Sequence, residues 1–376
     1  MIPAPHRHTP AKINLAAIRQ NLMKIRTHIG TNGHGKVPEI WPAVKANAYG
    51  HGAVKVSQAI EDLVGGFCVS NLDEAIELRD SGLAEKPILI LSGIVPEDAH
   101  IAHELNLTLA APSLEWLELV VKSAVQDLAG LKLHIAVDSG MGRIGVRDFN
   151  EANAMIDLMD RHGILFDGVF THFATADEAE TEKYEQQSAT FAAFLSNLSR
   201  QPRYVHSTNS AAGIWHSEQV QDIERLGLAL YGLNPSGRAL SLPADVELVA
   251  ALSLQSELTH VKEIQSGDTV GYGATFTASE PTFIGTLPIG YADGWARDLQ
   301  GFHVLVNGKF CEIVGRISMD QMTIKLDQRY PLATKVTLIG CDGGEEITVD
   351  DIAAYRGTIN YEVLTSLSDR IYREYF

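Results

Sequence analysis

Short apolar runs of strand length recur between residues 11 and 240, most of them followed by an amphipathic stretch of helical length. This alternation constrains the fold more tightly than any other feature of the chain. The runs fall at 41–44, 66–69, 87–91, 107–110, 131–137, 166–171, 204–206 and 222–226. Strands that alternate with helices call for a parallel sheet with right-handed crossovers. Eight such units in about 200 residues suit a closed (β/α)8 barrel of the TIM type better than an open doubly wound sheet. A further helix near 15–28 precedes the first strand, and Asn71 with Glu74 three residues on has the form of a capping box. No GxGxxG follows the first strand, which weighs against a dinucleotide-binding fold.

From residue 241 the texture changes. Residues 251–261 alternate apolar and polar side chains, Asn307-Gly308 lies between two strand-like runs as a two-residue hairpin signal, and no long helical pattern returns before Ile352. The expected organisation is a barrel over 11–240 and a mostly-β C-terminal domain over 241–376, which residues 1–10 are expected to join. A content of 45% hydrophobic and 20% charged residues is ordinary for globular domains and supports a sizeable core. The net charge of −17 disfavours nucleic acid or an anionic membrane as partner. Cys68, Cys311 and Cys341 are odd in number and widely spaced, which fits a reducing cytoplasm better than a disulfide framework. The N-terminus lacks the apolar stretch of a signal peptide, and no segment reaches the roughly 18 uninterrupted apolar residues of a membrane span. His6 and His8 read as solvated, so no metal is expected.

Lys45 stands among apolar residues in the run Ile40-Trp41-Pro42-Ala43-Val44-Lys45. Burial disfavours an ammonium, lowers its pKa and prepares the amine for Schiff-base chemistry. The bland alternative is a lysine at a strand end whose head reaches back to solvent. Barrel active sites lie at the C-terminal ends of the strands, and other unusual polar residues fall there in order. They are Asp138 to Arg143 after the fifth strand, His172 after the sixth, Asn209 and Ser210 after the seventh, and Arg225 with Gly227 at the eighth. Ser210 and the backbone N–H groups near Gly227 and Leu228 would cup a dianion, as in the phosphate sites of such barrels. A phosphate held there and a Schiff-base lysine across the barrel mouth together describe pyridoxal 5′-phosphate, PLP.

Over nearly its whole length the chain resembles the alanine racemase family of fold-type III PLP enzymes. The resemblance rests on residues 43–52 (AVKANAYGHG), 138–145 (DSGMGRIG), 209–212 (NSAA) and 225–232 (RLGLALYG) of the barrel. In the second domain it rests on 271–276 (GYGATF), 290–294 (GYADG), 317–321 (ISMDQ) and 360–362 (NYE). It implies a homodimer whose active sites are each completed by the partner's β-rich domain. It also implies that Lys45 carries PLP and acts as the base on one face of the substrate, with Tyr272 from the other subunit as the base on the opposite face. Two bases on opposite faces are the minimum for racemisation. By the same resemblance Tyr49, Ser210, Gly227, Leu228 and Tyr361 hold the phosphate, and Arg225 faces the pyridine nitrogen with His172 in support. Arg143 braces the PLP phenolic oxygen and the substrate carboxylate, and the Met319 N–H meets that carboxylate. Asp320 orients the site, and Tyr291, Arg297, Arg316, Asp177 and Ile359 shape its entrance. A guanidinium only donates hydrogen bonds, so Arg225 would leave the ring nitrogen unprotonated and favour proton exchange over transamination or decarboxylation.

One position departs from the family pattern. Many members carry a lysine, made anionic by carbamylation, seven residues before the arginine of the Gly-Met-Gly-Arg motif, and this chain has Ala136. Arg143 is then expected to be held by a chloride or another side chain. The expected function is racemisation of alanine, supplying D-alanine for peptidoglycan. The alternatives are a broad-specificity or serine racemase of the same fold, a related barrel decarboxylase, and a PLP-carrier protein. A carrier typically stops after the barrel, and a decarboxylase would place a carboxylate where Arg225 stands.

Overall fold

The computed structural model describes residues 2–32, 35–124 and 127–376. It divides into two compact units, one of residues 18–48 and 52–249 and one of residues 2–17, 49–51 and 250–376. Met1, at the end of the segment expected to join the β-rich domain, lies outside the described residues.

The first unit is the barrel. Its strands are β1 (Glu39–Ile40), β2 (Phe67–Val69), β3 (Ile88–Ile90), β4 (Thr108–Ala111), β5 (Lys132–Ala136), β6 (Leu165–Phe170), β7 (Tyr204–His206) and β8 (Ile223–Glu224). Strands β2 to β7 form one parallel sheet in sequence order, and β1 pairs parallel with β8. Parallel bridges at Ala43–Cys68 and Asn209–Arg225 close the ring. Helix α1 (Leu15–Ile29) precedes β1. Helices α2 (Ala53–Ile60), α3 (Leu72–Asp80), α4 (Ala99–Glu104), α5 (Leu114–Ser123), α6 (Phe149–Arg161), α7 (Glu182–Ser196) and α8 (Ser210–Trp215) each fill one crossover. Side-chain oxygens start several of them: Asn71 accepts from Glu74 N, Ser113 from Trp116 N and Asn209 from Ala212 N. The strands β2, β3 and β4 are buried at every position, as strands covered on both faces must be.

Two strands depart from the apolar runs: the first ladder is Glu39–Ile40, just before the run at 41–44, and the eighth is Ile223–Glu224, inside the run at 222–226. Single bonds carry the pairing further, from Trp41 N to the Glu224 carbonyl (2.9 Å) and from Ala43 N to the Leu226 carbonyl (2.8 Å), on either side of Pro42, which has no N–H, so the extended backbone of the eighth strand continues through Arg225. The barrel unit runs past residue 240 because fully buried Asn21 holds the connector. Its Oδ1 accepts from Val249 N (2.9 Å), and its Nδ2 donates to the carbonyls of Val249 (2.8 Å) and Leu230 (3.1 Å).

The second unit is mostly β. A large sheet places Ala11–Ile13 antiparallel to Leu252–Glu257 and parallel to Arg373–Tyr375, so both ends of the chain enter one sheet. His260–Ile264, Thr282–Leu287 and Met322–Leu326 form a second, antiparallel sheet. Asn307-Gly308 joins His303–Val306 to Lys309–Glu312, with φ of 48° and 75°. Positive φ at both central residues defines the type I′ hairpin that an Asn-Gly pair favours.

Candidate active site

Trp41, Ala43 and Val44 are buried, and Lys45 emerges half-buried at the C-terminal end of the first strand. Burial pushes its ammonium below the usual lysine range, and repulsion from Arg143 pushes the same way. The four residues that follow, Ala46, Asn47, Ala48 and Tyr49, take left-handed backbone with φ of 51–54°. Each such non-glycine residue costs roughly 1–2 kcal/mol, so the turn must be held from outside. One oxygen of Glu74 accepts from Ala46 N and the other from Ser70 N, both at 2.7 Å, and Asn47 Oδ1 accepts from Ala53 N at 2.8 Å. Asn71 caps α3 as expected. The Glu74 carboxylate does not complete the capping box but clamps the turn behind Lys45.

Arg225 is buried (4% exposed) and fixed on three sides. It donates to His206 Nδ1 at 2.7 Å and to the carbonyls of Thr171 and Ser207 at 2.8 and 3.1 Å. His206, which sequence reasoning passes over, is the imidazole in contact with Arg225. His172 is half-buried after β6. Burial and the charges of Arg225, Arg143 and Lys45 press its pKa down to about 3, so it is neutral at working pH. Lys45, Arg143, His172 and Arg225 follow the C-terminal ends of strands β1, β5, β6 and β8, at one mouth of the barrel.

Ser210 opens α8. Its Oγ accepts from Gly227 N (2.7 Å) and from Ala229 N (3.4 Å), which leaves the hydroxyl proton free to donate outward. A helix start whose first N–H groups lack intrahelical acceptors, together with a free hydroxyl donor, suits a phosphate dianion. A desolvated lysine amine, these anion donors and an arginine that can only donate make a donor set that fits PLP. Arg143 sits exposed in the loop after β5, which Asp138 shapes by accepting from Gly140 N, Gly142 N and Arg147 Nε. Burial alone would raise the Asp138 pKa, but these donors outweigh it and hold the carboxyl below the usual range. Ala136 packs with Ala110 and Phe170, and Ile144 closes over them. Position 136 thus supplies apolar packing and no acceptor for Arg143. Asp177 is half-buried in the loop after β6.

In the β-rich unit Tyr49 and Tyr361 lie together, with ring centroids 6.0 Å apart. Tyr272 is 69% exposed between Gly271 and Gly273, whose φ values of 78° and 75° only glycine adopts readily. Met319, Tyr291 and Ile359 are also exposed, as are Arg297 and Arg316. Asp320 is anchored by Arg370 at 2.7 Å. Gly271, Tyr272, Arg316, Ser318 and Met322 line a groove of about 420 Å³.

A half-buried, desolvated lysine at a barrel mouth, with an anion cradle and a donor-only arginine, defines a barrel enzyme built for PLP chemistry. Comparison with known proteins names the family. The profile of the alanine racemase N-terminal domain matches residues 13–235 and that of the C-terminal domain matches 251–375. The alanine racemase of Lactococcus lactis subsp. cremoris strain SK11 is 64% identical over 372 residues, covering 99% of both chains. The crystal structure of alanine racemase from E. faecalis superposes with a TM-score of 0.94 at 43% identity, covering all of both chains. A histidine racemase from Leuconostoc mesenteroides superposes with a TM-score of 0.93 at 31% identity, also over the full length of both. The chain belongs to the alanine racemase family, whose members depend on PLP.

Proposed function

We propose that this chain interconverts L- and D-alanine with PLP as cofactor. The observation that carries the reading is the pairing, at one barrel mouth, of a desolvated Lys45 with a buried Arg225. PLP, when bound, supplies the electron sink that makes the substrate Cα proton removable. Lys45 is the base on one face, and Tyr272 of the partner subunit is the base on the other. Each takes or returns a proton at Cα. The donor-only guanidinium of Arg225 limits the sink, which favours proton exchange over bond-breaking alternatives. Ser210 with the N–H groups of Gly227 and Leu228, and Tyr49 with Tyr361, hold the phosphate. His172 stays neutral beside Arg225. Arg143 and the Met319 N–H bind the substrate carboxylate, and Asp320, Tyr291, Arg297, Arg316, Asp177 and Ile359 shape the approach.

The working unit is a homodimer with shared sites. The exposure of Tyr272, Tyr291, Met319 and Ile359, all large side chains of the β-rich unit, is consistent with a partner surface there. The protein is placed in the cytoplasm, which suits free thiols at Cys68, Cys311 and Cys341, and its D-alanine product feeds peptidoglycan synthesis. The test is chiral analysis of L-amino acids incubated with PLP-loaded protein in D2O. Racemisation with deuterium at Cα, strongest for alanine and lost in Lys45→Ala and Tyr272→Phe, is the expected outcome. Preference for serine or histidine would replace alanine as the substrate, and exchange with retained L configuration would remove Tyr272 from its role.

A further inference from the structure

Behind Arg225 a chain of side chains runs back through the barrel. Arg225 donates to His206 Nδ1 at 2.7 Å, His206 Nε2 lies 2.9 Å from His134 Nδ1, and His134 Nε2 lies 3.4 Å from Asp167 Oδ2. Both imidazoles are wholly buried. Gly168 makes the room, since a Cβ there would stand 2.6 Å from the His134 ring. Phe170 stacks on His206 with ring planes 7° apart, and Trp41 and Tyr204 flank His134.

Donor chemistry orients every link. A guanidinium has no lone pair to offer, so Nδ1 of His206 must accept and its proton must sit on Nε2. That proton meets His134 Nδ1, so His134 too carries its proton on Nε2 and presents it to the Asp167 carboxylate. The sequence Arg225→His206→His134→Asp167 therefore runs one way, from cation to anion through two neutral rings. We propose that Asp167 and His134 are positioning residues for the racemase site: through His206 they set the place and orientation of the Arg225 guanidinium. The proposal rests on the assignment of Arg225 to the PLP ring.

Each group works toward this arrangement. Burial holds His134 and His206 below the usual imidazole range, and Arg225 opposes a charge on either, while Asp167 partly favours one on His134. Burial alone would raise the Asp167 pKa, but the His134 contact, with Arg203 and Lys132 beyond, outweighs it and keeps the carboxylate ionised. Glu224 is the other acid near Arg225. Were His206 to gain a second proton, both its nitrogens would become donors and the contact with Arg225 would turn repulsive.

Two measurements on the PLP-loaded enzyme test this. In nitrogen-15 spectra of histidine-labelled protein, His206 and His134 should both be neutral and Nε2-protonated from pH 6 to 9. The His134 Nε2 signal should move in Asp167→Asn. An Nδ1–H tautomer or a doubly protonated ring at either residue would overturn the one-way chain, whether or not the protein racemises alanine. In kinetics, Asp167→Leu should lower kcat about tenfold with KM nearly unchanged and shift the absorbance of bound PLP. Asp167→Asn, which keeps an acceptor, should restore most of both. Unchanged kcat and absorbance in Asp167→Leu would refute the positioning role, as would loss of thermal stability alone. A wild-type protein that binds PLP without racemising any amino acid would instead refute the proposed function and leave the tautomer result standing.

Discussion

Glu224 is wholly buried on β8, next to Arg225, and neither carboxyl oxygen has a partner of good geometry among the described residues. Desolvation raises its pKa from 4.5 to about 8, against weaker opposing pulls from Thr208 and Arg225. Glu224 thus keeps its proton in the folded state over a range where the unfolded chain has lost it. The folded state binds more protons between those two values, so stability must fall as pH rises from about 4.5 to about 8. The slope is about 1.4 kcal/mol per pH unit, or roughly 4–5 kcal/mol over the window. Glu224→Gln keeps the shape and removes the titration. Thermal melting of the PLP-loaded wild type and variant should be compared every half pH unit from 5 to 8.5. The variant should start level or slightly lower at pH 5 and gain on the wild type by on the order of 5–10 °C by pH 8. His134 and His206, both buried, and half-buried His172 have depressed folded pKa values, so they cost stability only as pH falls below about 6.5, and they do so equally in both proteins. A difference that is flat with pH, or that favours the wild type at high pH, would show that Glu224 is ionised and solvated in the fold and would refute the reasoning.

Gly168→Ala should drive its Cβ into the His134 ring and destabilise the barrel by about 2 kcal/mol or more, with kcat falling too; unchanged melting and activity would refute the packing. Asp293, 1% exposed, pairs with Arg7 at 2.5 Å and Arg370 at 3.3 Å and accepts from Gly290 N at 2.9 Å. Asp293→Ala should cost about 3 kcal/mol, measured by denaturant melting at constant protein concentration. Because Ala136 lies in an apolar cluster, replacing chloride by gluconate should leave kcat/KM and the PLP absorbance unchanged, whereas a tenfold loss would place an anion beside Arg143 after all.

The barrel was legible because its signal is local and repeated: most apolar runs hold a strand, three of them buried at every position, and each crossover carries its own helix. Lys45 was legible for a similar reason, since a charge inside an apolar run is visible without knowing what it touches. The left-handed turn behind it was not. Ala46 and Ala48 favour a right-handed helix, and the Glu74 carboxylate, 28 residues on, and the Asn47 side chain help hold the turn against that preference. The hint lay in the Asn71–Glu74 spacing, which a capping box explained too readily.

His206, His134 and Asp167 stayed hidden for a different reason. Each is unremarkable on its own strand, and the two histidines, 72 positions apart, carry no periodic mark of their contact. What joins them is register: His134 pairs with Gly168 and Phe170 with His206, and only glycine opposite His134 leaves room for the ring. The same alternation separates Glu224 from Arg225. Adjacent residues of one strand point to opposite faces, so Arg225 enters the barrel mouth while Glu224 is pressed toward α8, where a Cβ on Gly213 would stand 2.9 Å from its carboxyl carbon. A one-residue slip of β8 would exchange these two side chains, carrying a carboxyl into the site and a guanidinium under α8. The buried charge and the missing Cβ therefore fix the register of this strand more firmly than its apolar content does.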